Sequence, residues 1–302
     1  MNRSSIRRVS LTSLQLLGGV AAVYGALRLY KTVFPVVINA LGFSGHTQHI
    51  VGPLGMLPVM ALVYALCVRW FERRRPSELA LRPLPLLSGA AAGAALIGLT
   101  IGVLFLTGFY LAESHRPFGQ AVPVLCTILA AACLEEFIFR GLLFQALEKL
   151  LGTGAAVLSV ALLFGALHLS NPGTTPLTMV SVSLLGAFWC AVFIATRNLW
   201  VAGLNHACWN MAIFLSGVPL SGQESWRAAA PLVSEVRGPF WLTGGDFGPE
   251  DSVVNLFFLG LALWLLWRWL GRRGLLQPAA AMPPNVEHRT ERQRHSATSN
   301  VQ

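Results

Sequence analysis

Three ionisable residues stand where an apolar sequence should hold none. They are Glu135, Glu136 and Arg140, in the run Leu134-Glu135-Glu136-Phe137-Ile138-Phe139-Arg140-Gly141. Placing one such group in a bilayer costs at least about 2.5 kcal/mol, so a reason for their presence is needed. Glu136 and Arg140 are four apart, share a helix face and can pair. Glu135 points about 100° away from Glu136 on a helix of about 3.6 residues per turn. Its carboxylate is left unneutralised, the kind of group that moves protons in general acid–base catalysis. Two further apolar runs carry polar groups at helical spacing. One ends in Phe164-Gly165-Ala166-Leu167-His168; the other contains Asn205-His206-Ala207-Cys208-Trp209-Asn210, which puts His206 and Asn210 on one face. Taken singly, the Glu–Arg pair reads as a structural clasp, His168 as a packed helix-end histidine, and His206 with Asn210 as interhelical hydrogen bonding. A shared depth in the membrane would turn them into a site.

The elements that must position these residues follow from composition. Of 302 residues, 54% are hydrophobic and 12% charged, against about 25% charged in an ordinary soluble domain. Mean hydropathy is +0.60. A soluble globule of this size cannot hide that much apolar surface. Disorder, a disulfide-stapled miniprotein and an ordinary cytosolic enzyme are excluded, and an all-α, polytopic membrane helix bundle is expected. Apolar runs long enough to cross a bilayer number about eight, at 10–30, 51–71, 84–112, 119–148, 153–169, 175–196, 199–217 and 252–270, the fifth and seventh being short. Phe34 to Phe43 is apolar but too short to span, and reads as a re-entrant or interfacial piece. At about 1.5 Å per residue, Glu135 lies about 20 Å from the inner end of its span, His168 about 22 Å, His206 about 10 Å and Asn210 about 16 Å. All four can then meet in one cavity near the middle of the membrane.

The net charge of +9 reads as topology rather than as nucleic-acid binding, because no basic patch is interleaved with aromatics in a soluble segment. With eight spans and both termini cytoplasmic, sixteen Lys and Arg fall inside and five outside, a strong positive-inside bias. The first span, after Arg3, Arg7 and Arg8, reads as an uncleaved anchor. The membrane body is expected over 1–271 and a disordered cytoplasmic tail over 272–302. Gly244-Gly245-Asp246-Phe247-Gly248 follows no strand and lacks the Lys of a phosphate loop, so it reads as turn chemistry. Gly89/Gly93 and Gly98/Gly102 mark one face of the third span for close helix packing. The five cysteines, Cys67, Cys126, Cys133, Cys190 and Cys208, all lie in apolar runs without Cys-x-x-Cys spacing, and read as buried small hydrophobes.

In this order on separate helices, the Glu-Glu-x-x-x-Arg, Phe-x-x-x-His and His-x-x-x-Asn motifs resemble the CPBP (Abi) family of intramembrane proteases. That family includes the type II CAAX-prenyl endopeptidases. The resemblance covers about residues 70–217, and each motif alone is weak while the ordered triple is specific. It implies an intramembrane endopeptidase in the cell membrane, acting on a membrane-associated peptide or protein within the lipid bilayer. Glu135 would activate water, His168 would help bind it, and His206 and Asn210 would polarise the scissile carbonyl and hold the oxyanion. Glu136, Arg140 and Phe164 would support them. Metal-free glutamate chemistry without a cofactor is favoured; zinc on Glu135, His168 and His206 is the alternative, although no His-Glu-x-x-His is present. The competing functions are a non-catalytic scaffold or bacteriocin-immunity-type protein, and a proton-coupled transporter, against which the absence of paired broken helices argues.

Overall fold

The computed structural model describes residues 3–43 and 45–278, with side chains from Val9 onward. The chain runs α1 (Arg3–Ala40), α2 (Gly45–Cys67), α3 (Pro83–Leu106), strand β1 (Tyr110–His115), α4 (Ala121–Glu136), a π-helical stretch (Phe137–Phe144), α5 (Gln145–Leu151), α6 (Thr153–His168), α7 (Thr178–Thr196), α8 (Leu199–Leu215), the short α9 (Glu224–Arg227), strand β2 (Leu232–Val236), the short α10 (Phe240–Thr243) and α11 (Val253–Arg272). It is an all-α polytopic bundle carrying one small sheet.

Lipid is the solvent for its outer surface. Leu14, Leu17, Leu62, Leu87, Leu158 and Trp264 are all exposed on long helices, a pattern stable only where hydrocarbon surrounds them and the helix satisfies every backbone group. Among the described residues, six helices are long and apolar enough to cross a membrane. Of the eight expected spans, α6 and α8, the fifth and seventh, fall short of that length with 16 and 17 residues. Their length is limited at one end by short connections, Gly152 before α6 and Arg197–Asn198 before α8. Asn198 caps α8, its side-chain oxygen accepting the Val201 N–H at 3.1 Å, and Ser252 caps α11 in the same way.

Three expectations change. Phe34 and its neighbours are no separate re-entrant piece, because α1 continues through Pro35 to Ala40. The third span stops at Leu106 rather than reaching 112; Thr107 and Gly108 turn the chain, and Tyr110–His115 becomes β1, antiparallel to β2 with Tyr110 opposite Val236. Finally, the glycines of α3 divide. A Cβ on Gly93 would lie 2.1 Å from the Asn205 carbonyl oxygen and one on Gly89 2.8 Å from Val201, so this pair lets α3 touch α8. Gly98 and Gly102 have nothing within 4 Å and make no such contact. The Gly244–Gly248 segment is a tight turn as expected, with a Gly244 Cβ placed 1.7 Å from the Gly248 oxygen.

The bundle has two distinct ends. At one, Lys149 pairs with Glu72 at 2.6 Å and Arg74 with Glu78 at 2.6 Å. There also Arg197, in a left-handed turn after α7, pairs with Glu148 at 2.6 Å. Thr153 and Gln277 exchange hydrogen bonds at the same end, which anchors the chain past α11. The remainder of the expected tail, 279–302, lies outside the described residues. At the other end lie the sheet, Asp251 held by the hydroxyls of Thr175, Thr178 and Ser181, and Arg227 bonded to the Gly217 and Ser234 carbonyls. All five cysteines are unbridged.

Candidate active site

The helix carrying the carboxylates is not a regular α-helix. Immediately after Glu136 it widens into π-helical turns over Phe137–Phe144, the irregularity that recurs at functional sites. Arg140 lies in this stretch and is completely buried, as is Glu136. Arg140 Nη1 donates to Glu136 Oε1 at 2.9 Å, and Nη2 donates to the Gly186 carbonyl at 2.7 Å. The guanidinium also lies 5.1 Å from the Phe164 ring centroid and 5.7 Å from that of Trp189, a cation–π setting that offsets part of its desolvation.

Glu136 serves a second partner. Its Oε1 lies 3.0 Å from His206 Nδ1. An ionised carboxylate only accepts, so Nδ1 carries the hydrogen and the ring is oriented with Nε2 turned away from Glu136. That Nε2 is 3.9 Å from Glu135 Oε2. Trp189 stacks on the His206 ring, with centroids 3.6 Å apart. The Trp189 indole N–H donates to Asn205 Oδ1, and Asn205 Nδ2 to the Gly89 carbonyl. The close α3–α8 approach at Gly89 and Gly93 therefore fixes the plane on which His206 rests.

Glu135 is the exception in this paired set. Its side chain retains 35% exposure, facing a cavity of about 280 Å³, yet Oε2 is buried and has no hydrogen-bond partner. His168 closes another wall. Its Nδ1 lies 2.8 Å from the Phe164 carbonyl, so the hydrogen is on Nδ1 and Nε2 is the acceptor. Its ring packs on Phe164, with centroids 4.5 Å apart. Asn210 lines the same cavity, and its side-chain oxygen has no partner.

The structure thus brings Glu135, His168, His206 and Asn210 around one cavity. Glu136 and Arg140 lie behind His206, and Phe164 joins His168 to Arg140. Sequence reasoning missed Trp189, Asn205 and Glu250. Asn205 adjoins His206 in the same polar run, a signal that was available. Trp189 lies in an apolar helix with nothing to distinguish it. Glu250 reads as a loop acid but is 3% exposed and lines the cavity. Its Oε2 accepts from the Ser221 N–H at 3.1 Å and from the Ser221 hydroxyl.

Zinc would require Glu135, His168 and His206 as one ligand group. Both histidines have Nε2 left for a further partner, and Nδ1 bonds of this kind also orient metal ligands. However, among the described residues no three His, Cys, Asp or Glu side chains gather into a set able to hold a metal ion. The arrangement does not fit the three-ligand zinc site.

Residues 117–212 match a protein-family model, Rce1-like, described as type II CAAX prenyl endopeptidase Rce1-like. The matched stretch begins just before α4 and ends in the last turn of α8. It contains all six ionisable and amide side chains of the expected motifs, while Glu250 and both strands lie outside it. No curated protein and no solved structure matches the chain. The Rce1-like match supports, in general terms, a CAAX-protease-like intramembrane endopeptidase.

Proposed function

We propose that the protein is an intramembrane endopeptidase that hydrolyses a peptide bond of a membrane-associated protein or peptide through water activated by Glu135. One observation carries this reading. Glu135 is an unpartnered carboxylate in a cavity, 3.9 Å from an imidazole nitrogen whose other nitrogen is held by a second, paired carboxylate. A structural clasp accounts for Glu136 and Arg140 but leaves Glu135 unexplained.

The chemistry follows from these positions. A water between Glu135 and His168 Nε2 gives one proton to the Glu135 carboxylate as its oxygen bonds the scissile carbonyl carbon. The carbonyl oxygen becomes negative and is met by an Asn210 amide N–H and by His206 Nε2–H. Since Nδ1 already donates to Glu136, donation from Nε2 requires the imidazolium, which the Glu136 carboxylate stabilises. The carbon–nitrogen bond then breaks, and the proton on Glu135 goes to the leaving amine, which returns Glu135 to its starting state. No step uses a metal. The basic residues concentrated at the Lys149–Arg197 end support a cell-membrane protein with that end, and both termini, in the cytoplasm.

The test is to reconstitute the protein in a bilayer with a membrane-peptide library and read products by mass spectrometry. Wild type yields products, His206→Ala lowers their rate at least about 100-fold, and exhaustive chelation leaves the wild-type rate unchanged. No wild-type product would leave a scaffold as the better reading, and loss of activity on chelation would overturn the metal-free chemistry.

A further inference from the structure

The cavity is placed asymmetrically between the two ends of the bundle, and this bears on which substrates can enter it. Its floor is made by Glu135 and His206 near the middle of their helices, with the wholly buried Glu136–Arg140 pair behind them. From there the lining goes one way only. His168 is the last residue of α6, and beyond it Asn171, Ser221, Gln223, Trp226 and Glu250 continue the wall. These belong to the connections at the end that carries the sheet. Their own bonds define that wall: Asn171 Nδ2 donates to the Ser221 carbonyl at 3.1 Å, and Glu250 accepts from Ser221. Among the described residues, none from the Glu72–Glu78, Glu148–Thr153 or Arg197–Asn198 regions lines it. At the floor, Phe164 and Trp189 also line the cavity, and they and Phe137 are almost completely buried; the guanidinium of Arg140 packs against Phe164 and Trp189.

The charges on the two ends are equally one-sided. Arg69, Arg73, Arg74, Arg75 and Arg82, together with Lys149, Arg197, Arg268, Arg272 and Arg273, sit at the end remote from the cavity. The end into which the cavity extends holds five basic residues against six acidic ones (Glu113, Glu224, Glu235, Asp246, Glu250 and Asp251). A bilayer orients such a chain with its basic end in the cytoplasm. The polar cavity then extends toward the opposite side, and hydrocarbon or packed protein separates Glu135 from the cytoplasm.

We infer that the substrate is a membrane-anchored peptide or protein whose scissile bond has already crossed the bilayer, and that it enters the cavity from the non-cytoplasmic side. This assignment rests on the peptidase reading above. It sets the substrate class: exported or surface-bound chains, cut where their membrane segment emerges on the outer side, rather than cytoplasmic chain ends.

Two measurements on the full-length protein in cells test it. In the first, Gln223→Cys in the cavity wall and Arg75→Cys at the basic end are treated with a membrane-impermeant maleimide before and after permeabilisation, with the five-cysteine wild type as background. Gln223→Cys is expected to label in intact cells and Arg75→Cys only after permeabilisation. In the second, single-span reporters carry a randomised window at the outer or at the inner end of their membrane segment, and products are expected from the outer set alone. Labelling of Gln223→Cys only after permeabilisation, or products from the inner set, overturns the sidedness and leaves the peptidase reading standing. Outer labelling with no product from either set overturns the peptidase reading, and the substrate assignment with it.

Discussion

Glu136 does two jobs with one oxygen, and this makes the pair behind the cavity more sensitive than a surface ion pair. Removing Arg140 would leave Glu136 charged, buried and short of a partner. Arg140→Met is therefore expected to lower stability by about 3–5 kcal/mol, read as a drop in the unfolding midpoint in detergent. Replacing both partners, Glu136→Gln with Arg140→Met, removes the stranded charge and should recover much of that loss. The double variant should stay inactive, because His206 then loses the carboxylate that sets its tautomer. Recovery of both stability and activity would show that Glu136 is only a clasp. At this scale the sequence was informative: an ionisable residue in an apolar run costs too much to be accidental, and helical spacing separated paired Glu136 from unpaired Glu135. It was silent on Trp189, whose stacking under His206 depends on how α7 meets α8.

Helix packing supplies the next level. Two glycine pairs of identical spacing on α3 looked equivalent, yet Gly93 meets the α8 backbone while Gly98 meets nothing. A four-residue period marks a face but does not say whether a neighbour covers it. Gly93→Ala is accordingly expected to cost about 1–3 kcal/mol and to lower activity by moving Asn205 and its bond to Trp189. Gly98→Ala should change neither. Thermal unfolding and peptide turnover of the two variants check this, and equal effects would contradict the α3–α8 contact. The π-helical stretch after Glu136 was also invisible beforehand: Phe137–Phe144 carries no Pro, and Arg140 stands at ordinary helical spacing from Glu136. Within it, Arg140 donates to the Gly186 carbonyl on α7, a contact between helices that the local pattern does not carry.

Across the whole molecule, the membrane bundle and the convergence of the motifs were legible because hydrophobicity and helix rise are local quantities. The sheet was not, since Tyr110–His115 pairs with a strand more than a hundred residues later and neither strand is long enough to stand alone. Glu250 came from the same distant loop. Burial raises its carboxyl pKa from 4.5 to about 7, the largest cause, with Asp251 adding to it and the Ser221 bonds opposing it. A folded-state value above the unfolded one means the native protein keeps this proton longer. The stability it contributes is full below pH 4.5 and is lost as pH rises toward about 7. The unfolding midpoint should fall over that window, and Glu250→Gln, which mimics the neutral acid, should flatten the fall. An unchanged slope in that variant would place the pH dependence elsewhere.

The central claim, that Glu135 activates the water, is tested most directly by the cleavage rate of Glu135→Gln relative to wild type on one identified peptide in the same bilayer. A glutamine keeps the shape but cannot take the proton. The rate is expected to fall about 10²- to 10⁴-fold with the unfolding midpoint unchanged; a rate equal to wild type would contradict the account.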